Sequence, residues 1–181
     1  MMIRSLGQFR KVCTILQVTA AVLALALPVG GGIFWIFVER IPPELLQDFL
    51  PVLPSMPIPL STKMLGFMIM MLLPGAVNVY GLVVVSRLFR LYKQGSIFQP
   101  GVIHCYRKLG LAILLSVPAD ILCKPLLSVA LTYANGPGHR TLIVGLSSND
   151  IRGLLVGGAV LAIAWVMEQA QKLEEEQALT I

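Results

Sequence analysis

Two charged side chains interrupt a long apolar stretch in the second half of this sequence. In LSVPADILCKPLL, Asp120 and Lys124 lie four residues apart, between Pro118 and Pro125. Residues four apart share one face of a helix, where an acid and a base can pair. If the stretch spans a membrane, a charge at its centre costs about 2.5 kcal/mol or more and is a hypothesis for ion or proton chemistry. Asp120 and Lys124 are therefore the candidate intramembrane ion pair.

The composition indicates that this stretch is one of several membrane spans. Of the 181 residues, 56% are hydrophobic and 13% are charged, whereas soluble domains average about 45–50% apolar and about 25% charged residues. About 20 apolar residues in a helix cross the hydrocarbon core, and the runs lack the period-two alternation of barrel strands. The sequence predicts one all-α membrane domain over 1–181, with four transmembrane helices at about 12–38, 64–85, 102–125 and 151–170.

The distribution of Lys and Arg predicts the orientation of these helices. The segment before the first span carries three of them and the connection between the second and third spans carries five, against two and one in the other connections. Connections rich in Lys and Arg stay in the cytoplasm. We therefore expect both termini to be cytoplasmic.

The first connection on the predicted outer side contains a short amphipathic pattern. Pro43 stands at a helix start, and four apolar residues up to Leu50 alternate with polar ones. This spacing predicts a helix lying on the outer membrane interface.

The region after Pro125 allows two interpretations. Two β-prone segments, Ser128–Tyr133 and Thr141–Leu146, flank the turn-forming residues ANGPGHR, which favours an outer β-hairpin. The third helix would then end by Pro125, because the residue before a proline is disfavoured in a helix, and Lys124 would lie at the outer interface. Alternatively, a full span to Ala134 would leave the charged pair near the midplane.

The fourth helix has a clear start and a face of small residues. SSND supplies hydroxyls and an acid for the helix N-terminus. Gly153 and Gly157 stand four apart, a spacing that lets membrane helices approach closely. Packing within the chain is favoured over dimerisation.

The cytoplasmic connections contain the candidate docking face. Their basic residues could simply bind anionic lipid headgroups, in keeping with the positive-inside pattern, or could dock a cytoplasmic partner. Acidic residues near the C-terminus could complete this face, or could bridge the basic residues and close the bundle. The candidate docking face comprises Arg87, Arg90, Lys93, Arg107, Lys108, Glu174, Glu175 and Glu176.

The other reactive side chains do not form recognisable constellations. Cys13, Cys105 and Cys123 share no metal-ligand spacing with each other or with the two His residues. No nucleophile–base arrangement and no glycine-rich phosphate loop is present in the sequence. We expect no enzyme activity, no catalytic or metal site, no cofactor and no direct binding of nucleic acid.

Two predicted cytoplasmic segments resemble a bacterial family of four-helix membrane proteins, domain of unknown function twenty-nine seventy-five. The first is LFRLYKQGSIFQPGVIHCYRKLG and the second is LSSNDIRGLLVGGAVLAIAWVMEQAQKLEEEQALTI. The Asp120–Lys124 pair has no counterpart in this family pattern. Besides Glu175 and Glu176, the family-like positions are Leu88, Phe89, Tyr92, Gly95, Phe98, Ala170, Leu173 and Thr180.

The resemblance implies a function only in outline. The activity of the family is not established, and its members are often encoded beside a small helix-turn-helix regulator. This context favours a regulatory or interaction protein that acts through its cytoplasmic face, with sequestration of such a regulator as one form. The alternative is a small ion- or solute-transporting protein that uses Asp120 and Lys124, and a third is an accessory subunit without a ligand of its own.

Overall fold

A computed structural model describes residues 2–53, 57–95, 99–133 and 140–178, with side chains from residue 8 onwards except those of 48, 174, 177 and 178. The regular structure of these residues is entirely helical. The helices are α1 (Met2–Phe37), α2 (Pro43–Phe49), α3 (Leu60–Met70), α4 (Ala76–Lys93), α5 (Pro100–Thr132) and α6 (Ser148–Ala178). A 3₁₀ turn, Val38–Arg40, follows α1, and a π-helical segment, Met71–Gly75, joins α3 to α4.

Four helical units are long and apolar enough to cross a membrane. They are Gln8–Arg40, Leu60–Lys93, Pro100–Thr132 and Ser148–Leu173. Large apolar side chains such as Leu25 and Leu72 are more than 70% exposed on their outer surfaces, which suits contact with lipid and not with water. The four-helix membrane architecture predicted from the sequence is therefore confirmed.

The spans pack mainly in chain order. α1 packs against α4, α4 against α5, and α5 against α6. Here the basic end denotes the end of the molecule where α4 finishes and α5 starts. A cluster of Val84, Leu88, Val102 and Cys105 forms its core. The opposite end carries α2 and the start of α6.

The second span contains an irregularity at Pro74. Proline has no backbone N–H and its ring crowds the preceding turn, and here the helix widens into the π segment Met71–Gly75. A Cβ on Gly75 would lie 2.9 Å from the carbonyl oxygen of Met70. The glycine therefore permits a close approach of backbone to backbone beside the proline.

The prediction that the third helix ends by Pro125 is wrong. α5 continues as a helix through Pro118 and Pro125 to Thr132. A proline within a helix removes the hydrogen bond to the carbonyl four residues before it, and within a membrane span other groups can satisfy such a carbonyl. At 1.5 Å per residue, Asp120 lies about 18 Å from the end of the helix, so the alternative of the full span is the better description.

The predicted β-hairpin is also wrong where the structure describes it. Its first strand, Ser128–Tyr133, is helical as far as Thr132, and Thr141–Leu146 has no regular secondary structure; residues 134–139 of the intervening turn lie outside the described residues. Hydroxyl groups of α5 accept the backbone N–H groups that a partner strand would have accepted. The backbone N–H of Thr141 donates to Thr132 Oγ1 at 3.1 Å, and that of Ile143 donates to Ser128 Oγ at 3.1 Å.

A helix forms where the amphipathic pattern after the first span predicted one. α2 buries Leu46 and Leu50 in a cluster with Trp35, Val38 and Leu127. Its connection to α3 is held by Glu39, whose Oε1 accepts from the Ile58 backbone N–H and the Lys63 ammonium, both at 3.0 Å. α2 is thus packed onto the ends of α1 and α5.

Candidate functional site

The two charges predicted to pair with each other have different surroundings. Lys124 Nζ lies 3.1 Å from Asp150 Oδ2, at the start of α6. Asp120 and Lys124 form no ion pair within 4 Å among the described residues. The pairing between neighbouring turns of one helix is replaced by a bridge between two helices.

Asp150 is held in place by the local sequence of the α6 start. Its carboxylate accepts the Ser147 backbone N–H, and its own N–H donates to Ser147 Oγ at 3.4 Å. This reciprocal arrangement is a capping box, as the SSND motif suggested. Only 2% of Asp150 is exposed, so Lys124 is the cation that compensates a buried carboxylate.

Asp120 is half-buried and borders a cavity of about 340 Å³ between α1, the π segment, α5 and α2. The cavity is lined otherwise by apolar residues and glycines, among them Gly31, Phe34, Phe49 and Pro74. No hydrogen bond or ion pair of Asp120 is formed within the described parts of the chain. A single carboxylate thus faces an apolar cavity beside an irregular helix segment.

The basic end holds a cleft of about 870 Å³ between α1, α4 and α5. Four basic or titratable side chains line its outer part: Arg87, Arg90, His104 and Lys108. Its inner part is lined by Ala21, Ala24, Leu25, Val79 and Val83, with Gln17 and Tyr80 between. We call this cleft the basic groove.

Arg107 and Glu175, which also belong to the predicted docking face, are bound by other side chains of the chain. Arg107 Nη2 lies 2.8 Å from Glu168 Oε2, which joins α5 to α6. Glu168 also pairs with Lys172 at 3.5 Å, and Gln171 donates to Glu175 at 3.1 Å. The structure therefore separates Arg107 from Arg87, Arg90 and Lys108, while the Glu174 side chain lies outside the described residues.

Several family-like positions have structural roles at the basic end. Leu88 is buried in the core cluster there, and Phe89 packs edge-on against Tyr92 at 6.3 Å between ring centroids. The Tyr92 hydroxyl lies 2.8 Å from that of Tyr106, which joins α4 to α5. Gly95 follows the end of α4 with a φ of +82°, a conformation that favours glycine.

The remaining family-like positions contribute less to the core. Ala170 and Leu173 are exposed on α6, and Phe98 and Thr180 lie outside the described residues.

The small face of α6 lies against α5. A Cβ on Gly157 would lie 2.9 Å from Leu114 side-chain atoms and 3.2 Å from its backbone nitrogen. One on Gly153 would lie 3.0 Å from Val117, whereas Gly158 has nothing within 4 Å. The close approach that these two glycines permit is made within the chain.

Sequence reasoning missed the partner of Lys124 and the basic groove. Charge counting offered a signal for the first, because Asp150 is the single acid between Asp120 and Glu168. The groove has no such signal, since its residues come from three helices. The three cysteines are buried and unpaired, and the described residues contain no cluster of three potential metal ligands.

A comparison with protein-family models identifies the family of this chain. The family model described as "Protein of unknown function (DUF2975)" matches residues 43–181, which include α2 to α6. The chain belongs to this family. The resemblance seen in the sequence is thus confirmed. No curated protein and no solved structure gave a significant match to the chain.

Proposed function

We propose that this DUF2975 member is a regulatory or interaction protein of the bacterial inner membrane that acts through a cytoplasmic face and catalyses no reaction. Both termini are cytoplasmic in this proposal, because the basic end carries most of the Lys and Arg residues outside the apolar segments. The face consists of the last turns of α6 and the start of α5.

The observation that carries the proposal is the course of α6. The apolar run of the fourth span ends at Met167, but the helix continues to Ala178. Beyond this run, Glu175 and Glu176 are exposed. The Arg107–Glu168 ion pair joins the base of this extension to α5, and Lys172 pairs with the same Glu168.

The acidic end of α6 suits a basic cytoplasmic partner. DNA-reading proteins present a basic surface, and a helix bearing glutamates can cover such a surface by charge complementarity. Sequestration of a helix-turn-helix regulator at the membrane is consistent with this chemistry. Fold-level analogy alone would not support this function; the charge and exposure of α6 do.

Charge reversal at the end of α6 tests the proposal. The tagged protein is purified from its native membranes, and proteins that copurify with it are identified for wild type, for Glu175→Lys/Glu176→Lys, and for Arg152→Glu. Arg152 is exposed near the other end of the same helix and provides a charge reversal, of opposite sign, away from the proposed face. A cytoplasmic protein retained by wild type and Arg152→Glu but lost from the double variant supports the proposal. If no cytoplasmic protein distinguishes the variants, the proposal fails.

Asp120 supports a second candidate function, the transport of a small ion or solute. The carboxylate has no ion-pair partner among the described residues and borders a cavity next to the π segment, and such segments are frequent at functional sites. The apolar lining of the cavity opposes this function, because a transport path needs further polar groups. Proton and cation flux into vesicles containing the purified protein would decrease in Asp120→Asn if it transports; equal flux in both proteins rules this function out.

A further inference from the structure

The basic groove combines two kinds of surface in one cleft. Its outer part carries Arg87 and Arg90 from α4 and Lys108 from α5, and its inner part is lined by aliphatic side chains of α1 and α4. α4 runs towards the basic end and α5 runs away from it, so these cations converge at one mouth. The groove is polar at the mouth and apolar towards the membrane interior.

The cations at the mouth have no acidic partner among the described residues. Among the described residues, Arg87, Arg90 and Lys108 take part in no ion pair within 4 Å. No Asp or Glu is among the described residues that line the groove. Arg107, one residue from Lys108, is by contrast bound to Glu168. The mouth therefore has an unopposed positive charge that complements an anion.

The spacing of these residues along α4 and α5 puts their side chains on the helix faces that border the groove. Arg87 and Arg90 are three apart on α4, and His104 and Lys108 are four apart on α5, so each pair shares a helix face. The start of α5 lies beside α4, since a Cβ on Gly101 would make an ordinary contact with Leu91 at 3.6 Å. A phosphate at the mouth would thus meet donors from two helices.

We propose that the basic groove is a binding site for an anionic phospholipid, with the phosphate headgroup at Arg87, Arg90 and Lys108 and an acyl chain along Leu25, Val79 and Val83. Basic pockets between membrane helices are suited to anionic headgroups. A free phosphate would use only the mouth, whereas a lipid also covers the apolar wall, which otherwise faces the bilayer as an open cleft. The site is separate from the acidic end of α6 and does not depend on the proposed partner.

Native mass spectrometry of the full chain in a neutral detergent tests the site. Phosphatidylglycerol and phosphatidylcholine with identical chains are added in parallel, and bound lipid is measured for wild type, Arg87→Gln/Arg90→Gln/Lys108→Gln and Arg107→Gln. Each basic residue near an anionic surface contributes roughly fivefold to binding. We expect the triple variant to lose about a hundredfold in affinity for phosphatidylglycerol and Arg107→Gln to bind nearly as wild type does.

Further outcomes identify the source of the phosphate and overturn the proposal. Glycerol phosphate, which lacks chains, should bind at least tenfold more weakly than phosphatidylglycerol; equal binding would show an anion site and not a lipid site. Equal retention of the two lipids by wild type, or unchanged binding of phosphatidylglycerol by the triple variant, would refute the site. Circular dichroism of the triple variant, with a helical content equal to that of wild type, shows that any loss of binding is not a loss of folding.

Discussion

Lys124 on α5 binds Asp150 at the start of α6, with Nζ 3.1 Å from Oδ2. The two residues are 26 positions apart in the chain, and the acid is also fixed by the backbone of Ser147. The Asp150 side chain thus both caps the start of α6 and joins α6 to α5. The charge that first suggested a site within the membrane has a structural partner.

Removal of Lys124 should destabilise the protein. In Lys124→Met the buried Asp150 carboxylate loses its cation, and breaking such a pair by removing one partner costs up to about 3–5 kcal/mol. Because the Lys124 side chain is 30% exposed, we expect a loss of about 1–3 kcal/mol in the free energy of unfolding. Denaturant titration in mild detergent micelles, followed by circular dichroism, measures it.

Lys172→Met is the matched control for this variant. Lys172 pairs with Glu168 within α6 and its side chain is 59% exposed, and exposed pairs of this kind contribute about 0.3–0.5 kcal/mol. A loss in Lys172→Met equal to that in Lys124→Met would show that the Lys124–Asp150 bridge has no special role.

The sequence predicts the helices well because the membrane restricts them to one kind of structure. Charge-free runs gave the first two spans, and SSND gave the start of α6. The bounds differ most for α5, which continues to Thr132 although the predicted span ended at 125. The helices thus extend beyond the spans that the sequence predicted.

The sequence could not predict the features that depend on contacts between helices. Pro125 is a strong signal for a helix end in water, but α5 continues through it, as membrane helices can. The β-prone segment Thr141–Leu146 forms no strand, and its backbone N–H groups at Thr141 and Ile143 donate to hydroxyls of α5. The position of Asp150 beside Lys124 depends on the path of that segment. Helical periodicity in the sequence carries no information about this path.

Gly157→Ala should destabilise the contact between α5 and α6. The new methyl would lie 2.9 Å from Leu114 side-chain atoms and 3.2 Å from its backbone nitrogen, and the backbone cannot move without shifting α5. Overpacking of this kind costs about 1–3 kcal/mol. Thermal unfolding in micelles should show a lower midpoint than wild type.

Gly158→Ala is the neighbouring control for this variant. It has open space around the new methyl, and alanine favours the helix more than glycine does, so its stability should equal or exceed that of wild type. If Gly158→Ala instead proves the more damaging variant, the face of α6 that packs against α5 is assigned incorrectly.

Gly66→Ala should displace the ring of Trp35. A Cβ on Gly66 would overlap the indole of Trp35, which is buried at 3% exposure, while the same change at Gly30 meets no atom within 4 Å. Fluorescence in a Trp165→Phe background reports Trp35 alone. We expect a shifted emission maximum in Gly66→Ala and an unchanged one in Gly30→Ala; identical spectra in all three proteins would contradict the packing of α1 on α3.

The hydroxyls of Tyr92 and Tyr106 should stabilise the basic end as a pair. They lie 2.8 Å apart in a partly buried position, and a hydrogen bond of this kind contributes about 0.5–1.5 kcal/mol. Either Phe substitution leaves one hydroxyl without its partner, so Tyr92→Phe and Tyr106→Phe should each reduce stability, and the double variant should lose less than the sum.

A double-mutant cycle from denaturant unfolding measures this coupling. Tyr133→Phe is the control, because Tyr133 is 65% exposed and its ring still contacts Arg140 after the change. Additive losses in the cycle would mean that the two hydroxyls do not bond to each other. A coupling of the expected size would instead give the family-like tyrosine at position 92 a physical role, the alignment of α4 with α5 beneath the basic groove.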